Sequence, residues 1–417
     1  MPERKLIDDC VHCGFCLPAC PTYQSWGEEM DSPRGRIYLM KGISDGKIGL
    51  SGTVVEHFDA CLGCMGCVTA CPSGVRYDVL IEEQRAEIEA ARPRGIGDRL
   101  FRAMIFALFP HPARLRAAAW LQLLYVKSGL RWLVRALGIP KLLPKRLAQL
   151  EKLMPDVSAA ALRVRLPAFT AAHGARRSRV ALLAGCVQRV YFPEVNAATI
   201  RVLAAEGCEV LVPGSQGCCG ALSLHAGRDG EARELARALV ASFPADIDAV
   251  IVNAAGCGSH LKELPRILRG EAAVEAFAAK VRDVTEFLAA LPARATRNPV
   301  EVRAAYHDAC HLRHAQRIVE QPRQLLRGIP GLQLVEIADS DQCCGSAGVY
   351  NLVQPSSARE IGERKVANVL DAAPQLLISA NPGCTLQIQS ILRDRGLTLR
   401  AAHPIEVLDA SIRGAAS

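Results

Sequence analysis

The cysteines nearest the start of the chain repeat one spacing. The pattern Cys-x2-Cys-x2-Cys-x3-Cys, followed by proline, occurs at Cys10, Cys13, Cys16 and Cys20 and again at Cys61, Cys64, Cys67 and Cys71. Three closely spaced thiolates on a tight loop can bind three irons of one [4Fe-4S] cube, whereas the fourth ligates the cube of the other run. The proline cannot continue the local turn and stiffens its exit. The predicted chemistry is the transfer of single electrons.

We therefore assign the ligands of two clusters crosswise. One cluster takes Cys10, Cys13, Cys16 and Cys71, and the second takes Cys61, Cys64, Cys67 and Cys20. A pair of zinc sites would also use Cys-x2-Cys, but zinc gives no reason for the whole pattern to occur twice. A disulfide framework fits less well, because such close cysteines are typical of metal sites in a reducing compartment. The chain starts without an apolar secretory stretch, and we expect a cytoplasmic protein.

Length and composition limit the remaining classes. The 417 residues predict two or three domains, and the 50% hydrophobic content indicates a globular protein. Aromatic residues make up only 5% of the chain, which disfavours a stacking surface for single-stranded nucleic acid. The net charge is +8, with its basic excess in residues 92–179, and no groove-recognition motif accompanies it. We expect no nucleic-acid partner.

The elements that must position these cysteines differ along the chain. The long gap between the two runs favours an α-helical ferredoxin-type domain over residues 1–92. Residues 93–175 lack cysteine and read as amphipathic helices broken by proline and glycine, which predicts a basic helical linker. Its apolar runs fall short of the roughly 20 residues that cross a bilayer. The alternative is a basic surface in peripheral contact with the inner face of the cell membrane or with a membrane partner.

The rest of the chain is an internal repeat. Residues 176–295 carry Cys186, Cys218, Cys219 and Cys257, and residues 296–417 carry Cys310, Cys343, Cys344 and Cys384 in the same order and similar spacing. In each half the cysteines follow short apolar runs of strand character, with helical segments between them, which predicts a parallel sheet covered by helices. Ligands gather at the carboxyl ends of such strands, so we expect the two halves to face each other across a shared cleft.

The predicted fold class is a multidomain α+β protein. It combines an α-helical ferredoxin domain holding two [4Fe-4S] clusters, a helical linker, and two repeated α/β cysteine-rich halves. Four cysteines per half provide ligands for a further iron-sulfur cluster in one or both halves.

Several strings carry a resemblance that extends over nearly the whole chain, among them CGFCLPACPTY, DSPRGRIYLMK, CLGCMGCVTACPSGV, GCCGA and QCCGSAGVYNL. The chain resembles the iron-sulfur subunit of glycolate oxidase (glycolate dehydrogenase). The repeat resembles the cysteine-rich CCG domain of lactate-oxidation proteins, of the third subunit of anaerobic glycerol-3-phosphate dehydrogenase, and of a heterodisulfide reductase subunit. The last of these has a fifth cysteine in each repeat, where this chain has His260 and Gln387.

The resemblance implies a non-flavin electron-transfer subunit. The chain has no G-x-G-x-x-G fingerprint after a strand, and an iron-sulfur cluster cannot accept a hydride, so FAD is expected on flavoprotein dehydrogenase subunits. Electrons would pass from that flavin to a quinone or another membrane acceptor. The alternatives are a lactate or glycerol-3-phosphate system, a disulfide-reductase-like thiol site, and a stand-alone soluble carrier.

A few residues outside the cysteine sets complete the expectations. Cys208 has no counterpart in the second half and is interpreted as a buried structural thiol. His260 is a candidate additional ligand in the first half. His307, His311 and His314 flank Cys310 as candidate hydrogen-bond donors beside the site, and the first two are candidate proton carriers for a quinone. Arg34 and Arg36 are candidates to place positive charge beside a cluster.

Overall fold

The structure is a computed structural model that describes residues 2–91 and 94–414. The predicted boundary between residues 92 and 93 therefore lies outside the described residues. Helices alone make up the regular structure of residues 2–91. They are α1 (Arg4–Asp8), α2 (Pro21–Trp26), a 3-10 turn (Glu29–Asp31), α3 (Pro33–Ser44), α4 (Gly52–Asp59), α5 (Gly66–Ala70) and α6 (Tyr77–Ala91).

Local sequence explains where the longer of these helices begin. The Ser32 hydroxyl accepts a hydrogen bond from the Gly35 amide at 2.9 Å and caps α3, with Pro33 at the first helical position. Ser51 caps α4 through the Val54 amide in the same way. The helices bury an apolar core that includes Ile37, Phe58 and Leu80.

The next segment is helical, as its periodicity predicts, but it ends in a strand. Its helices are α7 (Ile96–Leu108), α8 (Pro112–Lys127), α9 (Leu130–Ala136), α10 (Ile139–Leu142), α11 (Lys145–Leu153) and α12 (Ala159–Arg163). The short strand β1 (Phe169–Thr170) then pairs antiparallel with β3 (Cys208–Leu211) at the edge of the first sheet. Two residues are too short for a periodic signal, so the sequence does not predict this strand.

The first repeat alternates strands and helices. After β1, its elements are β2 (Ser178–Leu183), α13 (Val187–Tyr191), α14 (Pro193–Ala205), β3, α15 (Ala221–His225), α16 (Asp229–Ala241), β4 (Ala249–Val252), α17 (Ala255–Lys262), α18 (Leu264–Ile267), α19 (Ala272–Lys280), β5 (Val281–Asp283) and α20 (Val284–Ala289). The sheet order is β1-β3-β2-β4-β5, and all pairs except the first are parallel.

The second repeat has the same plan. Its elements are β6 (Val302–His307), a π-helical turn (His311–Ala315), α21 (Glu320–Arg327), β7 (Leu332–Val335), α22 (Tyr350–Val353), α23 (Pro355–Asp371), β8 (Leu376–Ser379), α24 (Pro382–Asp394), β9 (Arg400–Ala402) and α25 (Pro404–Arg413). The order β7-β6-β8-β9 is parallel throughout and equals that of β3-β2-β4-β5. The middle strands are buried on both faces, which explains their continuous apolar runs.

The two halves pack through reciprocal helices. Helix α14 of the first half contacts α25, the last helix of the second, and α21 contacts α20 in the corresponding arrangement. One apolar core contains Val202 and Val284 of the first half with Tyr306 and Leu408 of the second. No helix within the described ranges is both long and apolar enough to cross a membrane.

Candidate iron-sulfur sites

The first cysteine run forms a loop between α1 and α2. Two of its residues have left-handed backbone, His12 with φ 55° and Gly14 with φ 92°, and this lets the loop turn sharply between the cysteines. Cys13 is exposed, whereas Cys20 is buried directly before α2. The loop therefore begins at the surface and ends in the interior.

The second run lies deeper. Gly63 and Met65 have φ values of 63° and 64°, and the loop turns there before α5 begins. The Gly63 amide donates a hydrogen bond to Cys61 Sγ at 3.3 Å. Such backbone donors to sulfur are typical of iron-sulfur sites, where they tune the potential of the cluster.

The structure brings the predicted ligand sets together crosswise. Cys20, from the first run, lines one small cavity together with Cys61, Cys64 and Cys67 of the second. Cys71 lies close enough to Cys10 to interact with it electrostatically. These placements support the crosswise assignment, which stays a prediction.

Arg36 supplies a buried positive charge beside the second set. Its side chain is 1% exposed, donates to the His57 carbonyl at 2.6 Å, and pairs with Asp31 at 3.1 Å. Burial raises the pKa of the Cys61 thiol, but the guanidinium groups of Arg36 and Arg85 outweigh burial, so that this pKa lies below its ordinary value. The charge favours a thiolate, the form that binds metal.

All eight cysteines of the repeat line one cavity of about 600 Å³ between the two halves. They are Cys186, Cys218, Cys219 and Cys257 of the first half and Cys310, Cys343, Cys344 and Cys384 of the second. Each cysteine follows the carboxyl end of a parallel strand, and the Sγ atoms of Cys186 and Cys218 lie 3.6 Å apart. The predicted shared cleft is confirmed, and the ligand roles of the cysteines stay a prediction.

The glycine after each cysteine pair has the same role in both halves. The Gly220 amide donates to Cys218 Sγ at 3.5 Å, and the Gly345 amide donates to Cys343 Sγ at 3.4 Å. Both glycines have left-handed backbone, with φ 92° and 84°. The sulfur-rich donor set and these amides fit iron-sulfur clusters in the cavity.

The second half touches the ferredoxin-type cysteines directly. Cys64 packs with Cys310 and Cys343 in one apolar cluster and interacts with Cys310 electrostatically. His311 hydrogen-bonds to the Gly63 carbonyl at 3.0 Å, so the two loops are held together at the cysteines.

His314 makes a second bridge at this contact. Its ring bonds to the Thr69 hydroxyl at 2.7 Å and to the Asp341 carbonyl at 2.8 Å. These two bonds occupy both ring nitrogens, so His314 positions the loops.

The first half meets the N-terminal region at helix α6. Arg266 pairs with Glu82 of α6 at 2.5 Å, and Arg85 donates to the His225 carbonyl at 3.1 Å. Burial raises the pKa of Glu82, but His225 and Arg266 outweigh burial and lower this pKa to about 2. This contact is largely ionic, and Arg85 also donates to the Cys61 carbonyl.

The linker closes the cavity with apolar side chains. Leu115 and Ala119 of α8 pack on Val190 of the first half, and Leu153 of α11 packs on Leu352 of the second. Side chains of this segment line the cavity beside the cysteines, among them Leu108, Phe109, Leu121, Tyr125 and Met154. The combination of apolar walls and converging sulfur atoms was not predictable from the spacing of cysteines alone.

Two histidines line the cavity, and the sequence interpretation named only one of them. The rings of His225 and His311 are 5.1 Å apart at their centres, and His225 Nδ1 lies 3.6 Å from Glu82 Oε1. Burial, with a smaller contribution from His225, lowers the pKa of His311 to about 4. A signal for Glu82 was present, because it is a charged residue directly after the apolar run Val79 to Ile81.

Of the remaining predicted residues, Arg34 is partly exposed, pairs with Glu29 at 2.7 Å and donates to the His12 carbonyl of the first cysteine loop at 3.1 Å, whereas the others lie in the interior. Cys208 is fully buried in the core shared by the halves, as expected for a structural thiol. His260 and His307 are buried, and the ring of His307 has no hydrogen-bond partner within the described chain. Gln387 is hydrogen-bonded to Asn351 at 3.1 Å.

Comparisons with known proteins agree with this arrangement. The sequence profile of the "4Fe-4S dicluster domain" matches residues 6–75, that of the "Cysteine-rich domain" matches residues 180–262 and 304–389, and that of the "Glycolate oxidase iron-sulfur subunit, linker region" matches residues 97–154. The profiles cover the N-terminal helices, the linker and both halves of the repeat.

Similar proteins include a probable glycolate oxidase iron-sulfur subunit of Bacillus subtilis, 39% identical over 98% of this chain and 94% of that protein. The glycolate oxidase iron-sulfur subunit of Escherichia coli is 34% identical over 98% of this chain and 95% of its own length. Lactate utilization protein A of Geobacillus kaustophilus is 32% identical over 56% of this chain and 99% of that protein. With its cysteine runs, linker and repeat all matched, the chain belongs to the family of glycolate oxidase iron-sulfur subunits.

Proposed function

We propose that this chain is the electron-transfer subunit of a flavin-dependent 2-hydroxy-acid dehydrogenase, with glycolate as the substrate and a quinone as the acceptor. The observation that carries the proposal is the packing of Cys64 against Cys310 and Cys343, which joins the ferredoxin-type cysteines to the eight-cysteine cavity. Iron-sulfur clusters supply one-electron transfer when bound, and the protein holds and insulates them.

The ligand sets of the proposal are those assigned from the sequence. Two [4Fe-4S] clusters are held crosswise by the N-terminal cysteines, and one or both sets in the repeat hold a further iron-sulfur cluster. The four units of residues 1–92, 93–175, 176–295 and 296–417 are part of the proposal. The helical N-terminal region, the linker helices and the two sheets of equal strand order support this division.

The flavoprotein partner docks on the first cysteine loop. Cys13 is exposed there, and its neighbours Val11 and Phe15 are 68% and 67% exposed. Exposed apolar side chains beside a redox centre fit a protein interface, and burial of the other cysteine sets leaves this loop as the accessible point of entry. FAD is held by that partner.

The cavity between the halves binds the quinone. Its walls carry Leu108, Phe109, Leu115 and Tyr125 from the linker, and the cysteines converge on its floor. An apolar pocket with few polar groups suits a quinone ring and its hydrocarbon tail. His311 and His225 lie at the cavity, and Glu82 connects them to α6, so this chain has groups that carry protons to a reduced quinone.

The outer face of the linker rests on an anionic membrane, on the cytoplasmic side. Residues 96–147 contain one acidic residue, Asp98, and nine basic residues that are not buried: Arg99, Arg114, Arg116, Lys127, Arg131, Arg135, Lys141, Lys145 and Arg146. Large exposed apolar side chains in the same segment include Ile96, Leu100, Trp120, Leu124, Trp132, Leu137 and Leu142. Exposed tryptophans and basic charge are the features of a helix surface that binds anionic lipid.

The function is tested with the complex of this chain and its flavoprotein subunits, prepared without oxygen. We expect glycolate to reduce a short-chain quinone in the complex. The reconstituted chain alone is expected to oxidise reduced dyes and leave glycolate unchanged, because it offers no flavin site. Glycolate turnover by the chain alone, or a complex that reduces its flavin but never the quinone, would contradict the proposal.

A thiol-exchange function is the second candidate. The 3.6 Å contact between Cys186 Sγ and Cys218 Sγ favours it, because two such thiols could form a disulfide. Iron content and thiol titration of the full chain decide between the two functions. A repeat without iron, whose thiols form a reversible disulfide, would favour thiol exchange.

A further inference from the structure

Duplication gives the second half a histidine where the first half has leucine. His307 is the last residue of β6, three residues before Cys310, and Leu183 is the last residue of β2, three residues before Cys186. Both strands are the centre of the same sheet order, so these two positions are equivalent. The exchange places an imidazole in a core position that is otherwise aliphatic.

A second exchange of this kind lies nearby. Gly220 and Gly345 follow the cysteine pairs of the two halves, and a methyl group on either would collide with a carbonyl, that of Ala232 in the first half and that of Ala358 in the second. Ala232 and Ala358 therefore occupy equivalent positions. Seven residues after these alanines stand Leu239 in the first half and Lys365 in the second. Lys365 is 2% exposed and interacts electrostatically with Cys343 and Cys344.

No hydrogen bond within the described residues accounts for a histidine at position 307. It is 1% exposed, and neither ring nitrogen has a hydrogen-bond partner among the residues that the structure describes. A buried polar group without a partner is unfavourable, and such groups are rare in folded proteins. A neutral imidazole has a free lone pair on one ring nitrogen and can bind a metal through it.

The ligand atoms around His307 are close enough to share a metal atom. One ring nitrogen, Cys344 Sγ and Cys384 Sγ all lie within 4.8 Å of one another. Bonds of about 2.0–2.3 Å to a tetrahedral metal place two such ligands roughly 4 Å apart, so a small adjustment suffices. The ammonium group of Lys365 offsets the negative charge of the thiolates.

The position that carries a fifth cysteine in distant relatives cannot serve in this half. Gln387 occupies it, accepting a hydrogen bond from Asn351 at 3.1 Å and donating one to the Ala358 carbonyl at 3.0 Å. Its amide is therefore committed to the core, and the imidazole comes from the strand.

We propose that His307, Cys344 and Cys384 are ligands of one iron-sulfur cluster in the second half, which gives this half a mixed nitrogen and sulfur ligand set. The inference rests on the proposed function in one respect, that the second half holds an iron-sulfur cluster. A neutral imidazole in place of a thiolate removes one negative charge from a cluster and raises its reduction potential. The second half would then be the easier of the two to reduce.

The test uses the full chain, reconstituted with iron and sulfide and grown with ¹⁵N-labelled histidine. We expect pulsed EPR of the reduced protein to show histidine nitrogen coupled to a cluster. The coupling should vanish in His307→Leu, which reproduces the residue of the first half. It should persist in His260→Leu, which removes an equally buried imidazole from the first half.

A third variant keeps the test decisive if His307→Leu folds poorly. His307→Cys supplies a thiolate in place of the imidazole, so we expect it to retain iron, lose the nitrogen coupling, and show a lower midpoint potential for the second-half signal. Histidine coupling that is absent from the wild type, or that persists in both His307 variants, would overturn the inference. Zinc in place of iron would overturn it as well. A second half without any metal would instead count against the proposed function.

Discussion

The two halves of the repeat have the same strand order but different neighbours. The second half meets the cysteine loops of the N-terminal helices, with Cys64 against Cys310 and Cys343. The first half meets helix α6 through the ion pair of Glu82 and Arg266. Duplication thus supplied two equal scaffolds that differ in their contacts with the ferredoxin-type cysteines. We infer that the second half is the point of entry and that the first half lies further from the flavin.

The largest expected effects come from removing the cysteine pair of either half. Cys343→Ala with Cys344→Ala, and Cys218→Ala with Cys219→Ala, should each lower glycolate-driven quinone reduction by more than about 100-fold if, as we propose, each pair supplies metal ligands. Flavin reduction should survive in both. The two variants differ in the cluster that glycolate still reduces, which EPR of the complex reports.

In the variant that lacks Cys343 and Cys344, we expect the metal of the first half to stay oxidised after glycolate is added. In the variant that lacks Cys218 and Cys219, we expect the metal of the second half to become reduced. The reverse pattern would place the entry in the first half. Activity unchanged per folded, iron-loaded complex would mean that these thiols only pack the interface.

Cys20→Ala tests the N-terminal side of the same contact. Because Cys20 lines the cavity of Cys61, Cys64 and Cys67, we expect the loss of about half of the ferredoxin-type iron, from the cluster beside the second half. The signal of the other cubane should remain. Iron analysis and EPR of the reduced chain measure both, and loss of the other cubane alone would refute the crosswise assignment.

Cysteine spacing predicted much of this arrangement, and its limits are physical. Strand patterns and the repeat predicted two parallel sheets with cysteines at one edge, because parallel strands share a common carboxyl edge. The contact of Cys64 with Cys310 was not predictable, since it depends on how separately folded parts dock. His225 and Glu82 were missed for the same reason. The exchange of Leu183 for His307 was visible in the sequence once the two halves were aligned residue by residue.

Arg266→Met probes the ionic contact of the first half. It leaves the buried Glu82 carboxylate without its closest charge partner, so we expect a loss of about 2 kcal/mol in the free energy of unfolding. Glu82 has a lowered pKa of about 2 against 4.5 in the unfolded chain. Its stabilisation is therefore complete above pH 4.5 and is lost as the pH falls towards 2.

The control is Arg364→Met, at the other contact, where an exposed arginine donates to Gln24 at 2.9 Å. It should cost less than about 0.5 kcal/mol in urea unfolding. The double variant Glu82→Gln with Arg266→Met should recover most of the loss. Equal losses of unfolding free energy in Arg266→Met and Arg364→Met would show that the two halves contact the N-terminal helices in the same way.

The smallest expected effects are opposite changes in the pH dependence of stability, one from each half. Equivalent helices begin with the same capping box, Asp283 with Glu286 before α20 and His403 with Glu406 before α25. Burial raises the pKa of Asp283 to about 6 and lowers that of His403 to about 3. Between pH 4 and 6 the folded state therefore binds an extra proton at Asp283, whereas the unfolded state binds one at His403.

Acidification over this range stabilises the fold through Asp283 and destabilises it through His403. His403→Asn should make stability fall less steeply on acidification, by about 1.4 kcal/mol per pH unit, and Asp283→Asn should make it fall more steeply by a similar amount. Asparagine keeps the cap in both variants. Urea unfolding at several pH values gives the slopes, and changes of the same sign in the two variants, each relative to the wild type, would contradict the assigned pKa directions.

The reciprocal packing of the halves has a consequence for synthesis on the ribosome. Helix α14 of the first half is covered by α25, which buries Ile405, Val407 and Leu408 and follows all other elements of the second half along the chain. The first half therefore emerges with an uncovered apolar face and waits for almost the whole second half. During this interval the exposed apolar face makes the nascent chain prone to aggregation, and the cleft between the halves is not yet formed.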